Sequence, residues 1–120
     1  MQVQVNTGNG VQNHGTLERW ATEFISDTLS RFEQDITRVE VQLGEQARAR
    51  GGAVDRRCLL EARLTGRQPV TAEHHADTQD AAIRGAAQRL LSALDRTLGK
   101  LGRREHRDRE TIRRADGTTA

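Results

Sequence analysis

The chain is poor in aromatic residues and cysteine and has no long apolar run, and each shortage argues against a class of protein. Its 120 residues include one Trp, two Phe and no Tyr, so few rings could stack on unpaired bases. The single cysteine, Cys58, excludes an internal disulfide and fits a reducing compartment. No apolar run approaches the roughly 20 residues that span a bilayer, and the N-terminus lacks the features of a signal peptide. We therefore expect a cytoplasmic protein.

Arginine is abundant, and positive charge is concentrated in the second half of the chain. The first 60 residues carry 7 basic and 8 acidic side chains, and the last 60 carry 12 and 9. Lys100 is the only lysine. Arginine binds phosphate through two parallel hydrogen bonds, which lysine cannot do. The formal net charge is only +2, which equally fits a solvated surface, so the composition allows a polyanionic partner without requiring one.

The N-terminal third of the sequence predicts a strand followed by a helix. Val3 and Val5 alternate with Gln2 and Gln4, which is the period of a half-buried strand. Apolar residues then recur at helical spacing over residues 16–32: Leu17, Trp20, Ala21, Phe24, Ile25, Thr28 and Phe32. The other face of this helix carries more acidic than basic residues, so we expect it to repel phosphate.

Three further strands are predicted from alternation, in residues 37–43, 58–64 and 69–75. Pro69 is tolerable as the first residue of the last of these strands. Residues 44–57 are rich in Gly and Arg and show no periodicity, so they predict an exposed loop. Its cations would reinforce any nearby site for a polyanion: Arg48, Arg50, Arg56 and Arg57.

A second long helix is predicted to begin at an N-cap, Thr78 or Asp77, and to end near Gly99 or Gly102. Its apolar residues fall in one sector about 100° wide: Ile83, Leu90, Leu91, Leu94, Leu98 and Leu101. Its cations Arg89, Arg96 and Lys100 fall in the opposite sector, and so do Arg103 and Arg104 if the helix persists that far. Such a row can follow the phosphates of structured RNA without reading its sequence, although a cationic stripe is more often a solvated face.

This order of elements predicts an α+β fold, a β-α-β-β-β-α two-layer sandwich. A mainly antiparallel four-stranded sheet would carry both helices on one face. The domain would cover residues 1–102, and residues 103–120 would form a basic, mostly disordered tail. The other sheet face would be open, polar and of mixed sign: Gln2, Gln4, Glu40, Gln42, Arg57, Leu59, Glu61, Arg63, Thr71, Glu73 and His75.

No group of residues indicates catalysis. His74 and His75 are adjacent in a strand, so they point to opposite faces and cannot share a metal ion in the usual way. Cys58 lies among core positions without a basic partner on its own face, as a buried structural cysteine would. We therefore expect no enzyme, no catalytic residue, no cofactor, no metal site and no small-molecule substrate.

The element order and two segments resemble the hibernation promoting factor and ribosome-associated inhibitor A family, also called the S30EA or sigma-54 modulation family. The segments are LERWATEFISDTLSRFEQDITRVEVQL and DAAIRGAAQRLLSALDRTLGKL, and the resemblance covers residues 1–104. Its sharpest part is an Ala-Ala-Ile opening followed by a Leu, acid, Arg run: Ala81, Ala82, Ile83, Leu94, Asp95, Arg96, Leu98 and Lys100.

The resemblance implies a protein that binds the small ribosomal subunit and its 16S ribosomal RNA, in the channel of mRNA and tRNA. It would inhibit translation in stationary phase or stress, as a short form without the C-terminal dimerisation domain. Arg96 and Lys100 match basic family positions, and Arg89, Arg103 and Arg104 extend that set from the helix stripe. The alternative is a general RNA-binding or regulatory adaptor of the same fold, which the acidic first helix would suit.

Overall fold

The elements of the fold follow the predicted order. A computed structural model describes the backbone of residues 1–8, 14–47 and 54–115, and the side chains of residues 1–8, 15–45 and 54–99. The elements are β1 (Gln2–Thr7), α1 (His14–Thr28), a 3₁₀ helix (Ser30–Phe32), β2 (Ile36–Ala47), β3 (Val54–Leu64), β4 (Val70–Ala76) and α2 (Gln79–Ala115). The predicted β-α-β-β-β-α fold is therefore confirmed.

The four strands form one sheet in the order β1-β2-β3-β4. β1 and β2 are parallel because α1 carries the chain back across the sheet between them. The other two pairs are antiparallel, so the sheet is mixed and mainly antiparallel as predicted. Gly66, in the turn between β3 and β4, has a φ of 69°, a left-handed conformation that favours glycine.

The core lies between the helices and one face of the sheet. The residues of β2 and β3 that alternation predicted to face inward are all buried: Val39, Val41, Leu43, Cys58, Leu60, Ala62 and Leu64. Across from them α1 contributes Ala21 and Ile25, and α2 contributes Ile83, Leu90 and Leu94, all fully buried. Each large apolar side chain in such a position stabilises the fold by about 1.5–3 kcal/mol.

The predicted loop over residues 44–57 is wrong, because most of that segment is strand. β2 continues to Ala47 and β3 begins at Val54. Glu45 pairs with Arg56 across the ladder, and Arg56 Nε lies 3.3 Å from Glu45 Oε1. Cross-strand charge pairs extend the hairpin where apolar alternation has stopped. Arg48 and Arg50 lie outside the described residues.

Both helices differ from their predicted ends. α1 ends at Thr28, and Leu29 (φ −98°, ψ 10°) separates it from the 3₁₀ helix that contains Phe32. α2 continues past Gly102 to Ala115. A helical glycine costs only about 1 kcal/mol, and the i,i+4 spacing of Glu105 with Arg109 favours helix beyond it. The division between a domain at 1–102 and a tail at 103–120 stays a prediction, and residues 116–120 lie outside the described part.

The start of α2 is held by two side-chain hydrogen bonds. The backbone N–H of Ala81 donates to Thr78 Oγ1 at 3.0 Å, so Thr78 is the N-cap. Gln79 Nε2 donates to the carbonyl of Gly44 at 3.1 Å and joins the helix to β2. Despite the length of α2, no helix in the described chain is long and apolar enough to cross a membrane.

α2 passes very close to β4 at Gly85. A Cβ placed on Gly85 would fall against the imidazole of His74, 2.5 Å from its Cγ. His74 faces the helices, on the sheet side opposite to its exposed neighbour His75. Gly85 is therefore required by this close approach, although glycine is a poor helix former.

We predict that Gly85→Ala destabilises the protein by about 1–3 kcal/mol, because the imidazole of His74 must leave its position. Urea denaturation measures the change. Gly15→Ala is the control, since a Cβ at Gly15 meets nothing within 4 Å. The variant His74→Ala should tolerate the added methyl of Gly85→Ala. Equal stability of Gly85→Ala and wild type would contradict the prediction.

Candidate nucleic-acid interface

The outward face of α2 carries two exposed cations, Arg89 and Arg96. They are seven residues apart, so they lie at nearly the same angle around the helix and about 10.5 Å apart along its axis. Within the described chain neither forms an ion pair or a hydrogen bond. Both guanidinium groups are therefore exposed and unpaired within the described chain, and their contact with an anionic ligand stays a prediction.

The two acidic residues on the described side-chain stretch of α2 are both held by other arginines. Arg84 Nε donates to Asp80 Oδ1 at 2.6 Å. Arg31 lies in the 3₁₀ helix. Its Nη2 donates to Asp95 Oδ1 at 2.8 Å. These pairings neutralise both carboxylates on this stretch of α2, so the outward face keeps its positive charge.

The other three predicted contacts, Lys100, Arg103 and Arg104, lie in the same helix by their backbone. Their side chains lie outside the described residues. Arg103 follows Arg96 by seven residues, so its backbone position lies in line with Arg89 and Arg96. The structure thus places the five predicted positions on one helix and describes the side chains of two.

A cleft of about 480 Å³ runs beside these cations, between α2 and β4. One wall is the consecutive residues 71–73 of β4, and the other is formed by α2: Gln88, Arg89, Ser92, Ala93 and Arg96. Sequence periodicity could not reveal this cleft, because it depends on how far α2 stands from the edge of the sheet.

The open face of the sheet is polar and of mixed sign, as predicted. Arg38 Nη2 lies 3.2 Å from Glu40 Oε1, and Arg63 Nε lies 3.0 Å from Glu61 Oε1. Arg57 Nε lies 3.2 Å from a carboxylate oxygen of Glu73. Because these cations are already paired, this face offers a polyanion less than α2 does.

The aromatic residues do not form a platform for unpaired bases. Phe32 is buried, whereas Trp20 and Phe24 are half-buried and stack with ring centroids 5.2 Å apart. The guanidinium of Arg84 lies 5.1 Å from both ring centroids. Sequence analysis did not identify the contact of Arg84 with these two rings. The only sequence signal for it is the i,i+4 spacing of Asp80 and Arg84, because their ion pair holds the Arg84 side chain in place.

The candidate catalytic groups are structural. Cys58 is fully buried, and burial raises the pKa of its thiol to about 12, which suppresses the reactive thiolate. His74 and His75 point to opposite faces, as predicted. Among the residues with described side chains, no three His, Cys, Asp or Glu residues are grouped so that they could hold a metal ion.

His75 bridges two carboxylates on the open sheet face. Its Nε2 lies 2.7 Å from Glu73 Oε1, and its Nδ1 lies 2.5 Å from Asp55 Oδ2. The hydrogen bond with Glu73, followed by that with Asp55, raises the pKa of His75. The bond to His75 in turn lowers the pKa of Glu73. The three side chains connect β3 to β4 most strongly when the imidazole is protonated.

Sequence comparison identifies one family. The family model for "Sigma 54 modulation protein / S30EA ribosomal protein" matches residues 5–102. No curated protein shows significant sequence similarity to the chain.

Solved structures share the fold at low sequence identity. A ribosomal subunit interface protein from Coxiella burnetii is 17% identical with a TM-score of 0.61, over 82% of this chain and 99% of that one. The N-terminal domain of Protein Y from Thermus thermophilus is 19% identical with a TM-score of 0.57, over 81% of this chain and 99% of that one. These likenesses support the same arrangement of helices and strands.

We predict that His75 makes stability depend on pH. Because its pKa is raised on folding, its contribution is fully present below its unfolded pKa of about 6.5 and is lost as the pH rises through the folded pKa. Urea denaturation across this range should therefore show a fall in stability that is smaller in His75→Gln. Parallel pH profiles of the two proteins would contradict this.

Proposed function

Because the chain belongs to the Sigma 54 modulation protein / S30EA ribosomal protein family, we propose that it binds the small ribosomal subunit and inhibits translation. The family comprises non-enzymatic ribosome-binding modulators. The finer proposal is that the protein occupies the channel of mRNA and tRNA and contacts 16S ribosomal RNA in stationary phase or stress. Likeness to a ribosomal subunit interface protein supports this assignment.

The observation that carries the proposal is the charge of α2. Arg89 and Arg96 are exposed and unpaired within the described chain, while Asp80 and Asp95 are engaged by other arginines. Two cations about 10.5 Å apart along the helix axis can each contact a phosphate of a structured RNA. We extend the contact to Lys100, Arg103 and Arg104, which continue along the same helix.

The mechanism follows from the rigidity of this row. Burial of Leu90 and Leu94 against the sheet fixes the angle of the helix, so binding needs to order the arginine side chains but not the backbone that carries them. Their binding to phosphates releases counterions, which makes affinity fall steeply with salt. Translation would be inhibited because the bound domain occupies space that mRNA and tRNA require.

One observation favours the second candidate, a regulatory adaptor that does not act on the ribosome. Glu23 and Asp27 are exposed on α1 and would oppose RNA that approached that helix. The adaptor alternative predicts that the protein stays at the top of a sucrose gradient at low salt. The ribosomal proposal predicts that it sediments with small subunits or whole ribosomes.

We predict that Arg89→Ala with Arg96→Ala weakens this co-sedimentation, most strongly at low salt. The slope of log affinity against log salt should fall by roughly one to two, because about one counterion is released per phosphate contact. The matched control removes the same charge elsewhere, with Arg19→Ala on α1 and Arg67→Ala in the turn between β3 and β4, both exposed. Equal losses in the two double variants would indicate that only net charge matters and would refute the α2 interface.

A further inference from the structure

We infer that the cleft between β4 and α2 is a groove for an extended acidic peptide of a partner protein, which adds a strand to the free edge of β4. This inference goes beyond the proposed function, because its ligand is a polypeptide and not RNA. It rests on three features of the cleft: an open strand edge, available volume and uncompensated positive charge.

β4 is the last strand of the sheet and pairs only with β3 within the described chain. Its residues 71–73 form one wall of the cleft, and alternate residues of such a strand direct both their N–H and C=O groups to the free edge. An edge strand presents alternating N–H and C=O groups that a further strand can satisfy. A peptide supplies both donors and acceptors, whereas a phosphodiester backbone supplies acceptors. The edge therefore favours a peptide.

The opposite wall leaves room for a chain. Ser92 and Ala93 of α2 line it with short side chains, and the cleft has a volume of about 480 Å³. Ligand sites in proteins usually measure about 300–1,000 Å³. A strand that pairs with β4 would lie about 4.8 Å from it, between β4 and this small-residue wall.

The charge of the groove selects an acidic occupant. Arg89 and Arg96 line it and have no ionic partner among the described residues. Glu73 is the one acidic residue of the lining, and its carboxylate is already held by Arg57 at 3.2 Å and His75 at 2.7 Å. The groove is therefore positive along its α2 side, where carboxylates of an added strand would form charge-assisted hydrogen bonds.

The test uses the full-length protein and a short acetylated and amidated peptide in which Glu alternates with Val. Titration followed by NMR should shift the backbone amides of residues 71–73 and the resonances of Ser92 and Ala93. A peptide with Lys in place of Glu should bind at least about tenfold more weakly, because it repels both arginines. A peptide N-methylated along one edge should also lose about tenfold, because it cannot pair with β4.

Two variants fill the groove and keep both arginines: Ala93→Phe and the more exposed Ser92→Trp. Each should weaken peptide binding at least about tenfold and leave ribosome co-sedimentation unchanged, whereas Arg89→Ala with Arg96→Ala should weaken both. Circular dichroism checks that each variant is folded. If ribosome binding fails while the peptide still binds in the groove, the proposed function is wrong and this inference holds.

Three results would overturn the inference. The first is equal binding of the N-methylated and unmodified peptides, which would reduce the contact to charge attraction. The second is unchanged peptide binding by both filled variants. The third is a single-stranded oligouridylate that shifts the amides of residues 71–73 when the acidic peptide does not, which would make the cleft an RNA contact.

Discussion

The packing of α2 against the sheet is the contact on which the rest of the molecule depends. Ile83, Leu90 and Leu94 are fully buried, so the helix can take only one angle about its own axis. Arg89 and Arg96 are seven residues apart, so they lie at nearly the same angle around the helix. Because that angle is away from the leucines, burial of the leucines turns both arginines outward. The same packing brings Gly85 against β4 and leaves the neighbouring edge of the sheet open. Core and candidate interface are two consequences of one orientation.

The charge of the outward face depends on residues that are distant in sequence. Arg31 holds Asp95, and both side chains are more than half exposed, so the pair stabilises the fold by at most about 1 kcal/mol. Its larger effect is electrostatic. Asp95 directly precedes Arg96 in sequence, so without Arg31 its carboxylate would keep its full charge close to Arg96 and would reduce the attraction of Arg96 for anions. A weak surface ion pair can thus matter for binding more than for stability.

Periodicity predicted the features that depend on side-chain direction within one element, and it missed those that depend on contacts between residues far apart in the sequence. The alternation of Val39 and Val41 and the sectors of α2 follow from side-chain direction, which the backbone fixes within a few residues. The extensions of β2 to Ala47 and of β3 back to Val54 were not predicted, because cross-strand charge pairs such as Glu45 with Arg56 lack an apolar signal. The predicted end of α2 is too early because Gly99 and Gly102 do not stop the helix, since a glycine inside a helix costs only about 1 kcal/mol of stability. The cleft depends on the spacing between α2 and β4, which no local pattern encodes.

The two proposed ligands would be antagonists, because both would use the guanidinium groups of Arg89 and Arg96. A phosphate and a peptide carboxylate cannot both neutralise Arg89, so occupancy by one lowers affinity for the other, and the coupling is reciprocal. Their dependence on salt differs. RNA binding gains most of its free energy from counterion release, whereas an added strand gains part of its free energy from backbone hydrogen bonds to β4, which salt screens little. If both proposals hold, a rise in ionic strength would therefore shift the balance at α2 from RNA toward the peptide.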